Sequence, residues 1–185
     1  MEAILAMDSN NGLSKAGIIP WNNKKDLKFF YNQTKNNVVI MGKNTYLSLP
    51  DNVRPLKNRL NIVLTNNPSH FLNEPSNEND NNSDVIFTNN MNIYSSILHN
   101  KERFCNMYPI LNKNFKIFII GGKQIYDKYI QLCETIWVTR VKKCYSCDLT
   151  FEFNLENQFK EVSKEEDDEI CISKYMNVYY KDEYL

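Results

Sequence analysis

The chain has 185 residues, 42% of them hydrophobic and 24% charged, with 22 basic residues against 22 acidic ones. That length suits one well-formed core and is short for two domains. The even charge excludes a general field for nucleic acid or an anionic membrane, the longest apolar runs are only strand length, and MEAILAMDSNN lacks the features of a signal peptide, so a cytoplasmic protein with reduced thiols is expected.

In chain order, Ala3 to Met7 is a continuous small-and-apolar run, suited to a strand buried on both faces. Asp8 to Ile19 is long, aperiodic and carries Gly12 and Gly17; it is expected to be a loop serving as a lid. Pro20-Trp21 ends that segment, because proline keeps the preceding residue out of the helical region. A helix follows, capped by Asn22 or Asn23, with Leu27, Phe30 and Tyr31 at helical spacing on one face. Asp26 sits one residue before that face begins. It either complements the positive helix end or, at the rim of an apolar pocket, holds a raised pKa suited to proton handling.

Val38 to Gly42 reads as a second buried strand. Lys43-Asn44-Thr45-Tyr46 opens a short helix that ends near Leu49-Pro50. A loop with Arg54 and Pro55 leads to a strand over residues 59–65. Residues 66–84, dominated by Asn, Ser, Pro and Glu, read as an exposed insertion. Val85 to Thr88 is a short strand, Ile93 to Leu98 a short helix and Tyr108 to Asn114 a connection. Phe115 to Ile120 is a strand running into Gly121-Gly122. Lys123 to Leu132 is a helix with Ile125, Tyr129 and Leu132 on one face, and Thr135 to Val141 is a strand. The tail holds strands separated by the acidic turn Lys164 to Glu169, hence an antiparallel pair. The expected fold is α/β: a mainly parallel twisted central sheet with flanking helices and an antiparallel C-terminal strand pair, residues 1–185 forming one domain.

Two glycine-bearing strand ends are candidates for phosphate contacts: Gly42-Lys43 with Thr45, and Gly121-Gly122. Glycine allows close approach, and the following helix start presents free N–H groups. Each alone is usually only a tight turn, and neither fits a nucleotide-triphosphate loop or a G-x-G-x-x-G fingerprint. His70 and His99 are isolated. Cys144-Tyr-Ser-Cys147 has no second pair and does not start a helix, so no metal site or thiol chemistry is expected there. One buried acid with two phosphate-suited turns suits hydride transfer, in which the cofactor brings the chemistry and the protein brings position and one proton.

Taken together, Ile4-Leu-Ala6, Asn11-Gly-Leu13, Gly17-Ile-Ile-Pro20-Trp21, Asp26-Leu27-x-x-Phe30, Val39-Ile-Met-Gly42-Lys-x-Thr45-Tyr46, Arg59-Leu-Asn61, Ile120-Gly-Gly122 with Tyr126, and Thr139 resemble dihydrofolate reductases in order and spacing. The likeness spans the chain apart from the Asn-rich insertion and much of the tail. It implies NADPH-dependent reduction of dihydrofolate to tetrahydrofolate. It also implies a catalytic group of Asp26, Trp21 and Thr139: Asp26 accepting two hydrogen bonds from the pterin, Thr139 supporting it, and the lid closing over the nicotinamide. Leu5, Leu27, Phe30, Leu49 and Leu56 would wall the pocket, the carbonyls of Ile4 and Ile120 would border it, and Arg59 would pair with the carboxylate of the glutamate tail. Ala6 and Leu13 would flank the nicotinamide. Gly42, Lys43, Asn44, Thr45, Gly121, Gly122, Lys123, Gln124 and Tyr126 would surround the diphosphate and ribose. Lys43, with Leu64, Thr65 and Asn66 at the end of the third strand, would lie where the family reads the 2′-phosphate. Asn66 and Gln124 stand where members often carry Arg, which leaves Lys43, with Lys123, as the cationic candidates. The resemblance also raises a non-catalytic folate- and NADPH-binding protein, or a reductase of a related pterin or pyrimidine. A monomer is expected, with fusion or association with thymidylate synthase as the partner the family suggests.

Overall fold

The computed structural model describes residues 1–72 and 84–181. Within them, ten strands and six α-helices follow one another: β1 Glu2–Met7, β2 Gly12–Ser14, α1 Lys24–Thr34, β3 Val38–Gly42, α2 Lys43–Ser48, β4 Leu60–Leu64, α3 Ser69–Leu72, β5 Val85–Thr88, α4 Ile93–His99, α5 Lys101–Met107, β6 Ile117–Ile119, α6 Lys123–Tyr129, β7 Thr135–Val141, β8 Leu149–Thr150, β9 Phe159–Glu166 and β10 Ile170–Asn177. Eight strands make one sheet in the order β5-β4-β3-β6-β1-β7-β10-β9. Pairing is parallel from β5 to β7, and β10 is antiparallel to both β7 and β9. The mainly parallel sheet with an antiparallel finish is as the sequence implies.

The central strands are buried on both faces. Ala3, Ile4, Leu5 and Met7 of β1 and Val38 to Met41 of β3 are all inside. Alternation divides their side chains between two layers: Leu5, Met7, Ile40 and Ile119 on one face, Ile4, Val39, Met41 and Phe118 on the other. The chain starts in the middle of the sheet, runs outward through β3, β4 and β5, and returns to place β6 between β3 and β1. Such a reversal opens a crevice at the carboxyl ends of the strands.

Several expectations are corrected. The lid is not loop throughout: β2 pairs with β8, which opens the strand-bearing tail, and Lys15 bridges Ile18. Helix α5 lies in a stretch that gives no periodicity. Leu132 is exposed, because the chain tightens to a 3-10 turn over Ile130–Leu132 and Ile130 takes the inward place. The turn of the tail hairpin is shorter than Lys164 to Glu169, since β9 continues to Glu166. Residues 73–83 of the Asn-rich stretch lie outside the described residues. Just before them, Ser69–Leu72 is helical, and the Phe71 ring stacks on Phe87 at 4.3 Å.

Candidate active site

Helix α1 begins where Asn23 accepts the N–H of Asp26 at 2.9 Å on its side-chain oxygen, a cap that fixes the first turn. Asp26 is thereby held with its carboxyl against β7, where the Thr139 hydroxyl hydrogen-bonds it. Thr139 is fully buried and pairs in register with Ala6 of β1. Burial pushes the Asp26 carboxyl above its ordinary range, and the Thr139 bond only partly offsets this.

Phe30 and Leu49 pack around Ile4 and Leu56 on one sheet face, with Ile120 beside them. Leu27 and Tyr31 are exposed at 57% and 38%, so that side of α1 is an open wall and not core. Leu5 is corrected: strand alternation sends it to the opposite layer, with Leu13 and Leu64. The Ile4 carbonyl accepts the buried Tyr126 hydroxyl at 2.9 Å, which leaves one lone pair toward the crevice.

Arg59 closes the far end of the apolar wall. Although only 4% exposed, it has no carboxylate partner among the described residues. Its Nε donates to the Lys57 carbonyl at 2.9 Å and its Nη1 to the Thr34 hydroxyl at 3.1 Å. Its guanidinium lies 5.7 Å from the Phe30 ring centroid and 5.3 Å from that of Tyr31. Burial pulls its pKa down to about 10, so it remains charged at neutral pH. The Nη2 edge and one Nη1 hydrogen are left for a partner. Asn61, also buried, holds the preceding loop by accepting from the Leu56 N–H at 3.0 Å and donating to the carbonyls of Leu56 and Arg59 at 2.9 Å each.

The two glycine turns meet. Gly42 N–H donates to Gly121 O at 2.8 Å, which brings the starts of α2 and α6 side by side. Gly121 has φ +100°, and a Cβ there would lie 2.8 Å from the Tyr126 ring. A Cβ on Gly122 would lie 3.1 Å from Thr45 Oγ1. Neither helix start carries a side-chain cap, so their first N–H groups face outward unpaired by the helix. Lys43, Asn44 and Gln124 are exposed there, as is Asn66, while Thr65 is buried and its hydroxyl accepts the Asn67 N–H at 3.3 Å. Lys123 is corrected as a cationic candidate: Glu152 at 3.1 Å and Asp127 at 3.3 Å already engage it.

The lid packs on the tail. Trp21 is buried among Val141, Ile170 and Ile172, with its ring 5.6 Å from that of Tyr145. Its Nε1 has no hydrogen-bond partner within the protein among the described residues. Asp8, fully buried, accepts the N–H groups of Asn10 and Gly12 at 2.8 Å and of Tyr145 at 2.9 Å. Burial pushes its carboxyl up, but these bonds and the Cys147 thiol outweigh it and hold it low. Asp148 accepts the Ala16 N–H at 2.7 Å, and its own N–H donates to Ser14 O at 3.1 Å. Sequence reasoning misses Asp8 and Asp148 as lid anchors. The Asp8-Ser-Asn-Asn-Gly12 run carries an Asx-turn signal for the first; the second has none.

A parallel sheet with its crevice at a chain reversal, one buried acid with a raised pKa and two glycine-headed helix starts together define an α/β protein of the cofactor-binding kind. Comparison with known proteins gives the particular family. The family described as dihydrofolate reductase matches residues 1–181. A dihydrofolate reductase from Aedes albopictus is 29% identical over 96% of this chain and 95% of its own, and one from Ureaplasma parvum 32% identical over 85% and 88%. A bifunctional dihydrofolate reductase-thymidylate synthase from Daucus carota is 31% identical over 80% of this chain but 27% of its own. A solved dihydrofolate reductase from Enterococcus faecalis, complexed with NADP(H), superposes with a TM-score of 0.66 at 22% identity, covering 96% of this chain and 95% of that one. The chain belongs to the dihydrofolate reductase family.

Proposed function

We propose that this chain is a working dihydrofolate reductase, reducing 7,8-dihydrofolate to 5,6,7,8-tetrahydrofolate with NADPH. The observation that carries the substrate is Arg59: a buried guanidinium with an open edge and no carboxylate of its own calls for a carboxylate from outside. The glutamate tail of a folate supplies one, at the other end of the apolar wall from Asp26.

The residues present fit the cofactor. The paired glycine turns bring two helix starts together where a side chain would meet Tyr126 or Thr45, those starts offer free N–H groups, and Lys43 is exposed without an ion pair among the described residues. Gly42, Lys43, Asn44, Thr45, Gly121, Gly122, Gln124 and Tyr126 would hold the diphosphate and ribose, and Lys43 with Thr65 and Asn66 the 2′-phosphate. When bound, NADPH supplies the hydride that reaches C6 of the pterin. Asp26 binds the pterin's adjacent amide and amino N–H groups with its two oxygens and, with Thr139, favours protonation at N5, water being the immediate donor. Phe30, Leu49 and Leu56 hold the ring system. The lid, anchored by Asp8, Trp21 and Asp148, excludes bulk water and gates release. The protein is proposed to act as a cytoplasmic monomer; none of its described helices is long and apolar enough to cross a membrane.

The test is a turnover assay with dihydrofolate, NADPH and NADH side by side. Loss of reduced-nicotinamide absorbance, faster with NADPH, is the expected result. Tight binding of both ligands without any such loss would identify a binding protein instead. Equal turnover of a tailless dihydropterin would remove the role given to Arg59.

A further inference from the structure

The Cys144-Tyr-Ser-Cys147 run, weak as a motif, lands on the base of the lid. Cys144 Sγ accepts the Asn10 side-chain amide at 3.2 Å. Cys147 lies so close to Gly12 that a Cβ on that glycine would sit 2.6 Å from its Sγ. The Cys147 thiol also hydrogen-bonds the Asp8 carboxylate. Both sulfurs thus flank one short turn, residues 10–12, at the foot of the lid. Between the cysteines, Tyr145 donates to Asp8 and packs on Trp21, and Ser146 takes a left-handed φ of 52° that reverses the chain. The next residue after the pair is Asp148, which holds the Ala16 N–H. All five cysteines are free thiols. Cys144 is exposed, whereas burial and then the Asp8 carboxylate push the Cys147 thiol up, which makes Cys144 the readier nucleophile.

We propose that Cys144 and Cys147 form a reversible thiol–disulfide pair that decides whether the lid can latch. The oxidant is a small-molecule disulfide of the glutathione class. The Cys144 thiolate attacks one sulfur; a new S–S bond forms while the old one breaks, and one small thiolate leaves. Cys147 then loses its proton to water and attacks the Cys144 sulfur, expelling the second small thiolate. Two protein thiols are oxidised to one disulfide, and one external disulfide is reduced to two thiols. A disulfide needs Cβ atoms about 3.8 Å apart. Closing it takes the Cys147 S–H from the Asp8 carboxylate and recruits the Cys144 sulfur that now accepts from Asn10. Tyr145 and Asp148, tied to the pair by single peptide links, move with it. The lid then loses its Ala16 and Trp21 contacts, and the expected effect is about a tenfold fall in turnover, the size of losing one charge-assisted hydrogen bond.

The inference rests on the reductase reading for its effect on turnover, and the experiment separates the two. The full chain is reduced with dithiothreitol, then exposed to oxidised glutathione. Three quantities are followed: turnover, tryptophan fluorescence with a Trp21→Phe control that isolates the Trp21 part, and the mass and alkylation of the tryptic peptide that begins at Cys144. The expected result is a peptide two hydrogens lighter that no longer takes iodoacetamide, a fluorescence change in step with it, and turnover that falls about tenfold and returns with dithiothreitol. Cys144→Ser should keep reduced-state turnover and resist the oxidant. Four results would overturn the proposal: thiols that stay alkylatable, a glutathione adduct that never closes, a disulfide that leaves turnover and fluorescence unchanged, or equal inactivation of Cys144→Ser. A reduced chain without reductase activity would defeat the functional reading, while mass and fluorescence would still decide whether the pair closes and moves the lid.

Discussion

Replacing Arg59 by Met tests the substrate end of the cleft with the least disturbance. Methionine keeps an apolar stem against Phe30 and Tyr31 and removes the charge. In the free protein that charge is a liability. Its pKa falls from the usual 12.5 to about 10 through burial, so at neutral pH the folded state carries a proton that it holds less well than the unfolded chain does. A base with a depressed folded pKa costs stability below that pKa, and the cost fades as pH rises through it. Removing the charge forfeits two hydrogen bonds, to Lys57 O and Thr34 Oγ1, worth about 1 kcal/mol each. It also relieves a buried cation without a carboxylate partner, whose desolvation costs on the order of several kcal/mol. The net is a gain on the order of 1 kcal/mol, or about 2–4 °C in Tm for a chain of this size. With dihydrofolate bound, the balance reverses. Truncating one partner of a desolvated charge pair costs about 2–3 kcal/mol, raising KM roughly 30- to 150-fold. Because the tail is remote from the reacting carbon, kcat should stay within about twofold. Steady-state kinetics with dihydrofolate and with a tailless dihydropterin, beside a thermal melt of the free protein, check all three. An unchanged KM for dihydrofolate, or an equal loss with the tailless substrate, would rule out Arg59 as the tail's partner.

Asp26→Asn should lower kcat with dihydrofolate at least about 100-fold while leaving NADPH affinity within about threefold by fluorescence titration. The same variant should flatten a pH slope in stability. Burial raises the Asp26 pKa in the folded state, so wild-type stability falls as pH rises from the ordinary carboxylate range through that raised pKa, and denaturant titrations on either side of it should show the slope only in wild type. Thr139→Val deletes the bond that partly offsets burial, so the acidic limb of the kcat/KM profile should move to higher pH, with about a fivefold loss above it. Gly121→Ala places a Cβ 2.8 Å from the Tyr126 ring at φ +100° and should cost about 2–4 kcal/mol in chemical denaturation, with loss of NADPH binding. Lys43→Ala should raise KM for NADPH about tenfold at low salt and leave KM for NADH nearly unchanged, since only the former carries the extra phosphate.

Patterns that depend on neighbours in the chain are legible in the residues alone. Continuous apolar runs mark β1 and β3, strand-then-glycine marks both turns, and the Asn22-Asn23 pair ahead of Asp26 marks the cap of α1, which the structure gives to Asn23. Where the local signal is weak, an element goes unseen: α5 has no buried side chain to impose a period. Face assignment fails where one residue shifts the phase. The 3-10 turn at Ile130 puts Leu132 outside, and strand alternation puts Leu5 on the layer away from Ile4. Lys123 looks like a free cation because its partner Glu152 is distant in the chain.

The α/β class, the acid at the start of α1, the two glycine turns and the arginine before β4 are legible in the residues, because each depends on residue type and short-range spacing. What those residues meet is set by the folded chain. It set Thr139 against Asp26, joined Gly42 to Gly121, left Arg59 buried without a carboxylate, and folded the Cys144–Asp148 loop onto the lid. These pairings come from strand order and from chain segments more than 100 residues apart in the case of Asp26 with Thr139 and of Asp8 with Tyr145. Loop closure over such distances is set by the packing of the whole sheet and leaves no mark in local composition.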